Sequence, residues 1–172
     1  MALLHRVARL REREHALLAT AEAVAAATAQ SEAWLRTTLA SIGDAVIATD
    51  ESGRVRTMNS VAEGLTGWTE SEARERPLDA IFRIVNETTR QASENPVTRV
   101  LREGRIAGLA YHAVLLARDG RATPIDDSAA PIRTPDGRTI GAVLVFRDVT
   151  ARRRIERDQA LALDREQAAR RD

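Results

Sequence analysis

The chain has no cysteine and no lysine among its 172 residues. Without cysteine there is no disulfide, no thiolate metal site, no thiol nucleophile and no thioether-linked chromophore. Without lysine there is no Schiff-base or lysine general-base chemistry. All 26 basic side chains are arginine, and against 25 acidic ones they leave a net charge of +1, so no strong overall field steers the chain onto nucleic acid. No apolar run approaches the roughly 20 residues that cross a bilayer, and the first residues lack the apolar core of a secretory signal. The expectations are a cytoplasmic location with no membrane and no nucleic-acid partner. The arginine-rich start is not the acid-poor start of an organelle transit peptide, because Glu12, Glu14, Glu22 and Glu32 interrupt it.

What the chain has in quantity is alanine, leucine, arginine and glutamate. Residues 1–40 contain neither proline nor glycine and read as one long helix. Leu3, Val7, Leu10, Leu17, Ala21, Val24 and Leu35 fall on alternating four- and three-residue steps, the spacing that turns one stripe toward a partner helix. Glu14, Thr28 and Ser31 share the stripe, and polar residues there lower stability while restricting register. The spacing predicts a homodimer through this helix; the competing reading is a helix packed only on its own domain.

After Gly43 the texture changes to short apolar runs separated by turns. Ala45 to Thr49 and Arg54 to Met58 read as two strands joined by a turn at Asp50, Glu51, Ser52 and Gly53. Three small helices follow. Ser60 with Glu63, and Thr69 with Glu72, fit the capping box; Asn95 before Pro96, with Gly104 as the stop, marks the third, whose Val97, Val100 and Leu101 share a face. Residues 106–118, 122–132 and 139–148 read as an antiparallel meander, with turns at Asp119-Gly120 and Pro135-Asp136-Gly137. The last strand is apolar on both faces, so something must cover the sheet's outer side. Trp68 is expected as a core anchor, and Trp34 as a contact between helix and sheet. From Thr150 the chain is helical and charged to Asp172; a polar helix with nothing to pack on predicts a further domain downstream. The expected divisions are a coiled-coil helix over 1–40, a domain over 41–149 and a linker helix over 150–172.

The strings SIGDAVIATDESGRVRTMNSVAEGLTGWTESEA and RDGRATPIDDSAAPIRTPDGRTIGAVLVFRDVTARR, in this order and spacing, resemble the PAS family over residues 31–156. The resemblance implies an α+β fold, a five-stranded antiparallel sheet with short helices on one face and a small-molecule pocket between them, flanked by N- and C-terminal coiled-coil helices. It further implies a sensor placed upstream of a histidine kinase, a diguanylate cyclase or a similar output domain. Asp148 and Thr150 match the family's Asp-x-Thr exit motif, to which the resemblance assigns signal relay. The closing DREQAARRD resembles a linker into a kinase dimerisation helix.

Chemistry beyond that is sparse. His5 and His15 lie in the N-terminal helix with no carboxylates grouped around them. His112 falls in a predicted strand, on one face with Ala110, Val114 and Leu116, and a lone histidine there is either a satisfied core group or a pocket group. Haem-binding relatives take their ligand from a histidine in the helical region, and residues 60–105 hold none; the light-sensing relatives need a cysteine. No cofactor is predicted, while a non-covalent small ligand stays open, with Asn86, Arg90 and His112 as pocket candidates beside a plain surface role. Arg152, Arg153 and Arg154 form a basic cluster without accompanying aromatics, which reads as a solvated face. No catalytic constellation emerges, so the chain is expected to be a signalling module or a ligand-free scaffold and not an enzyme.

Overall fold

A computed structural model of the chain describes residues 15, 17–27, 30, 43–107 and 113–169. The chain divides into two units, Met1–Thr38 and Leu39–Asp172. In the first, residues 15, 17–27 and 30 are helical and exposed. Leu17 and Val24 of the expected seam are 71% and 61% exposed there. Leu3, Val7, Leu10, Leu35 and Trp34 lie outside the described residues, as does His112.

The second unit opens with a hairpin of β1 (Ala45–Asp50) and β2 (Val55–Met58). Its turn is tied by the Asp50 carboxylate, which accepts the amides of Ser52 at 2.9 Å and Arg54 at 3.0 Å. Gly53 at φ 75° supplies the left-handed step that a side chain resists. Helices α1 (Ser60–Thr66), α2 (Glu70–Ala73) and α3 (Leu78–Ile81) lead to a short strand β3 (Arg83–Asn86) and then to α4 (Pro96–Glu103). The meander of β4 (Ala113–Leu116), β5 (Ala122–Arg133) and β6 (Thr139–Asp148) follows, and the exit helix α5 (Thr150–Ala169) leaves from its last strand.

The strands form one antiparallel sheet in the order β2-β1-β6-β5-β4-β3, so β6 lies at the centre beside β1 and β5. Among the described residues the sheet has six strands where the sequence predicts five. The additional one, β3, forms the edge and pairs with β4 through Ile84 opposite Leu115 and Val85 opposite Val114. Four residues between two helices carry too little alternation to be read as a strand; the open edge of β4 recruits them. Of the strand predicted over 106–118, the described residues are regular in β4, and before it Ala107 makes an isolated bridge to Ala129.

The helix caps hold the short helices onto the sheet. Asn59, not Ser60, caps α1: its Oδ1 accepts the amides of Ala62 and Val46 at 3.0 Å each, and its Nδ2 donates to the Asp44 carbonyl at 2.8 Å. An asparagine serves both sides of this joint because it carries donor and acceptor on one group. Glu63 turns instead to the next helix, accepting the Glu70 amide at 2.6 Å. Thr69 and Glu72 do form the reciprocal capping box. Asn95 caps α4, and Gly104 closes it in the left-handed conformation.

The inner face carries the core. Ile47, Ile125, Leu144 and Phe146 of the sheet pack with Leu78, Ile81, Phe82, Val97 and Val100 of the helical segment, all at most 2% exposed. The rings of Phe82 and Phe146 meet at 4.9 Å between centroids with a 55° tilt, a favourable offset arrangement. Trp68 is only partly buried. The Arg118 and Arg76 guanidiniums lie 4.2 and 5.2 Å from its ring, so it joins the helical segment to the β4–β5 turn through cation–π contacts.

Candidate functional site at the strand-to-helix junction

Everything that leaves the sheet at its centre leaves through Asp148, Val149 and Thr150. Val149 is 2% exposed, and its amide donates to the Pro124 carbonyl of β5 at 3.0 Å, which pins the junction to the neighbouring strand. Its carbonyl accepts the Arg153 amide at 2.9 Å and starts α5. Asp148 Oδ1 accepts the Thr150 amide at 2.8 Å, so the carboxylate satisfies one of the open amides at the helix start. Thr150 contributes this amide and lines the cleft beside the junction.

Two carboxylates of the domain reach the first turns of α5. Arg152 pairs with Asp126 of β5 at 2.7 Å, and Arg153 pairs with Glu87 in the turn after β3. Arg157, one turn further on, stands 3.6 Å from the same Glu87. Arg153 is 17% exposed, the most buried arginine of these pairs. The helix has no acidic residue in its own first turn, and arginines at a helix N-terminus oppose its dipole. The domain supplies the negative charge that the helix lacks. Two of the three arginines that read as a solvated face are therefore fastened to the sheet and its edge.

Beside this junction a cleft of ≈ 420 Å³ is lined by Glu87, Pro124, Thr150, Arg153 and Arg157. Another, ≈ 200 Å³, lies among Asp44, Asp126, Ser128, Val145, Arg147 and Arg152. There Arg147 of β6 grips Asp44 with two bonds of 2.5 and 2.9 Å, and the carboxylate holds the guanidinium's pKa above its usual value.

The pocket candidates Asn86 and Arg90 fall in the turn that carries Glu87. Asn86 Oδ1 accepts the amides of Thr88 and Thr89 at 2.9 Å, and the Asn86 carbonyl accepts the Arg90 amide at 2.9 Å. Arg90 is exposed at φ 59°. Asp127 is a group that sequence reasoning passed over. It is 0% exposed on the inner face of β5, opposite Phe146, and the two-residue alternation of Thr123, Ile125, Asp127 and Ala129 was the signal that places it inward. Among the described residues no group of three or more His, Asp or Glu could hold a metal ion, and no helix is long and apolar enough to cross a membrane.

Comparison with known proteins bears on this arrangement. The sequence pattern of the PAS fold family matches residues 39–154. The probable diguanylate cyclase DgcE of Escherichia coli (strain K12) is 34% identical over 128 residues, which are 74% of this chain and 11% of DgcE. The signal transduction histidine-protein kinase AtoS of the same organism is 34% identical over 119 residues, 69% of this chain and 18% of AtoS. The chain thus spans less than a fifth of either relative. Among solved structures, an RNA-binding light-oxygen-voltage receptor superposes with a TM-score of 0.55 at 20% identity, over 82% of this chain and 40% of that one. With the sheet, its helical face and the Asp148-Val149-Thr150 exit in place, and the family pattern running from residue 39 to residue 154, the chain belongs to the PAS family, as a sensory domain homologous to those of a diguanylate cyclase and a histidine kinase.

Proposed function

We propose that this PAS domain is the cytoplasmic input and dimerisation module of a longer signalling protein, and that it passes its signal through α5 to an output domain, most simply a histidine kinase. The observation that carries this reading is the junction: the helix continues from the central strand and is fastened to the domain by Asp148, Asp126 and Glu87. A change in the sheet or its edge then alters how the helix leaves. The N-terminal helix supplies the homodimer contact through Leu3, Val7, Leu10, Leu17, Ala21, Val24 and Leu35. The domain does no chemistry of its own. The stimulus is a non-covalent small molecule or a partner, with Asn86, Arg90 and His112 as candidate contacts and Asp148 and Thr150 as the relay.

A relay through a helix depends on rotational phase. Each inserted residue turns the downstream part of the helix by about 100°, and about seven residues restore the face. In a chimera joining this chain to a histidine-kinase core, insertions of one to eight residues after Arg157 should make output rise and fall with that period. Output that ignores insertion length contradicts the relay. The likeness to DgcE favours a second reading, the input domain of a diguanylate cyclase. The same insertions before a cyclase core test it.

A further inference from the structure

We propose that Glu87 and Asp126 form a two-point clamp that sets the rotational phase of α5, with the turn after β3 as the movable jaw. Consecutive helical residues point about 100° apart. Arg152 and Arg153 therefore reach in different directions, one to Asp126 on β5 and the other to Glu87 beyond the sheet's edge strand. A helix held at two such points cannot turn without releasing one of them. The jaws differ in kind. Asp126 sits within a twelve-residue strand between β4 and β6, whereas Glu87 follows a four-residue edge strand, in a turn organised by Asn86 and the left-handed Arg90. Edge strands and the turns beyond them open more readily than central ones. Arg153 is also the less exposed partner, 17% against 56% for Arg152, so added salt weakens the Asp126 contact first. Displacement of the β3 turn, by whatever binds it, withdraws Glu87 from both Arg153 and Arg157 and leaves the helix start with uncompensated positive charge. The clamp stands on geometry alone; its use in signalling rests on the relay reading above.

Amide hydrogen exchange on the whole chain tests the clamp. Glu87→Gln and Asp126→Asn should each speed exchange at residues 153–157 by on the order of two- to fivefold, the range that single ion pairs command. Amides of Leu144 and Phe146 should stay at their wild-type rates. The double variant Glu87→Arg with Arg153→Glu should exchange more slowly at residues 153–157 than either Glu87→Arg or Arg153→Glu alone. Unchanged exchange there in both Glu87→Gln and Asp126→Asn overturns the clamp. If either of these also loosens the core, the charge-swapped pair decides: exchange slower than in both of its single variants supports the clamp, and exchange that stays as fast overturns it. Should exchange respond as expected while the output of a kinase chimera ignores the same variants, the clamp stands and the relay reading fails.

Discussion

At Gly141 the central strand β6 passes so close to β1 that a Cβ atom would stand 2.1 Å from the Thr49 carbonyl oxygen and 3.3 Å from the Asp50 Cα. Both obstacles are backbone, so nothing can swing aside. Gly141→Ala should cost about 1–3 kcal/mol or more, since relief requires moving a strand pair; urea unfolding with an undiminished midpoint contradicts this. Glu72 offers a pH test. A hydrogen bond from Arg118, and after it the Thr69 amide and hydroxyl, lower its pKa from the usual 4.5 to about 2. A carboxylate depressed on folding contributes stability fully above its unfolded pKa and loses it as pH falls through the folded value. The contribution is therefore complete above about pH 5 and disappears between about pH 4.5 and 2. Glu72→Gln should reduce the fall in melting temperature between neutral and acid solution; an identical fall in both proteins removes Glu72 from the acid response. Single residues were legible in the sequence where the signal was local. Thr69-x-x-Glu72 and Asn95-Pro96 declare their caps, but Ser60-x-x-Glu63 fits the same pattern and does not cap, because Asn59 already bridges α1 to Val46 across the sequence. That bond depends on where β1 lies, which local spacing does not reveal.

Among the elements, the meander and the hairpin were legible because turn residues and alternation agree there, and β6 was read at both ends. β3 was not, since its strand character comes from its neighbour and not from its own four residues. The exit helix was foreseen while its fastening through Asp126 and Glu87 was not. Opposite charges at residues 87 and 153, or 126 and 152, meet only once the sheet is assembled. The start of α5 is open to a direct test. Asp148→Ala removes the acceptor for the Thr150 amide, and losing such a capping group costs about 0.5–2 kcal/mol of local helix stability. Asp148→Asn keeps an acceptor and should keep most of the ordering. Residue-resolved exchange of amides 150–153 checks the pair, and equal protection in Asp148→Ala and wild type would remove the carboxylate from the cap.

The molecule as a whole divides at residue 38, and its two units carry different parts of the proposed function. The family and the sheet were readable from the order and spacing of two long strings; the dimer rests on a stripe with three polar interruptions. Of that stripe, the described Leu17 and Val24 are 71% and 61% exposed. Deleting residues 1–30 should convert a homodimer into a folded monomer or a much weaker dimer, and sedimentation that finds the same tight dimer sinks the proposed seam. The central claim is that the domain works through the bond between its last strand and its exit helix. The most direct measurement is the output activity of the parent signalling protein, or of a kinase chimera, carrying Asp148→Ala, read beside the melting temperature of the domain. Altered output from a domain that still melts near the wild-type temperature is the expected result; normal regulation in Asp148→Ala would mean that the junction transmits nothing.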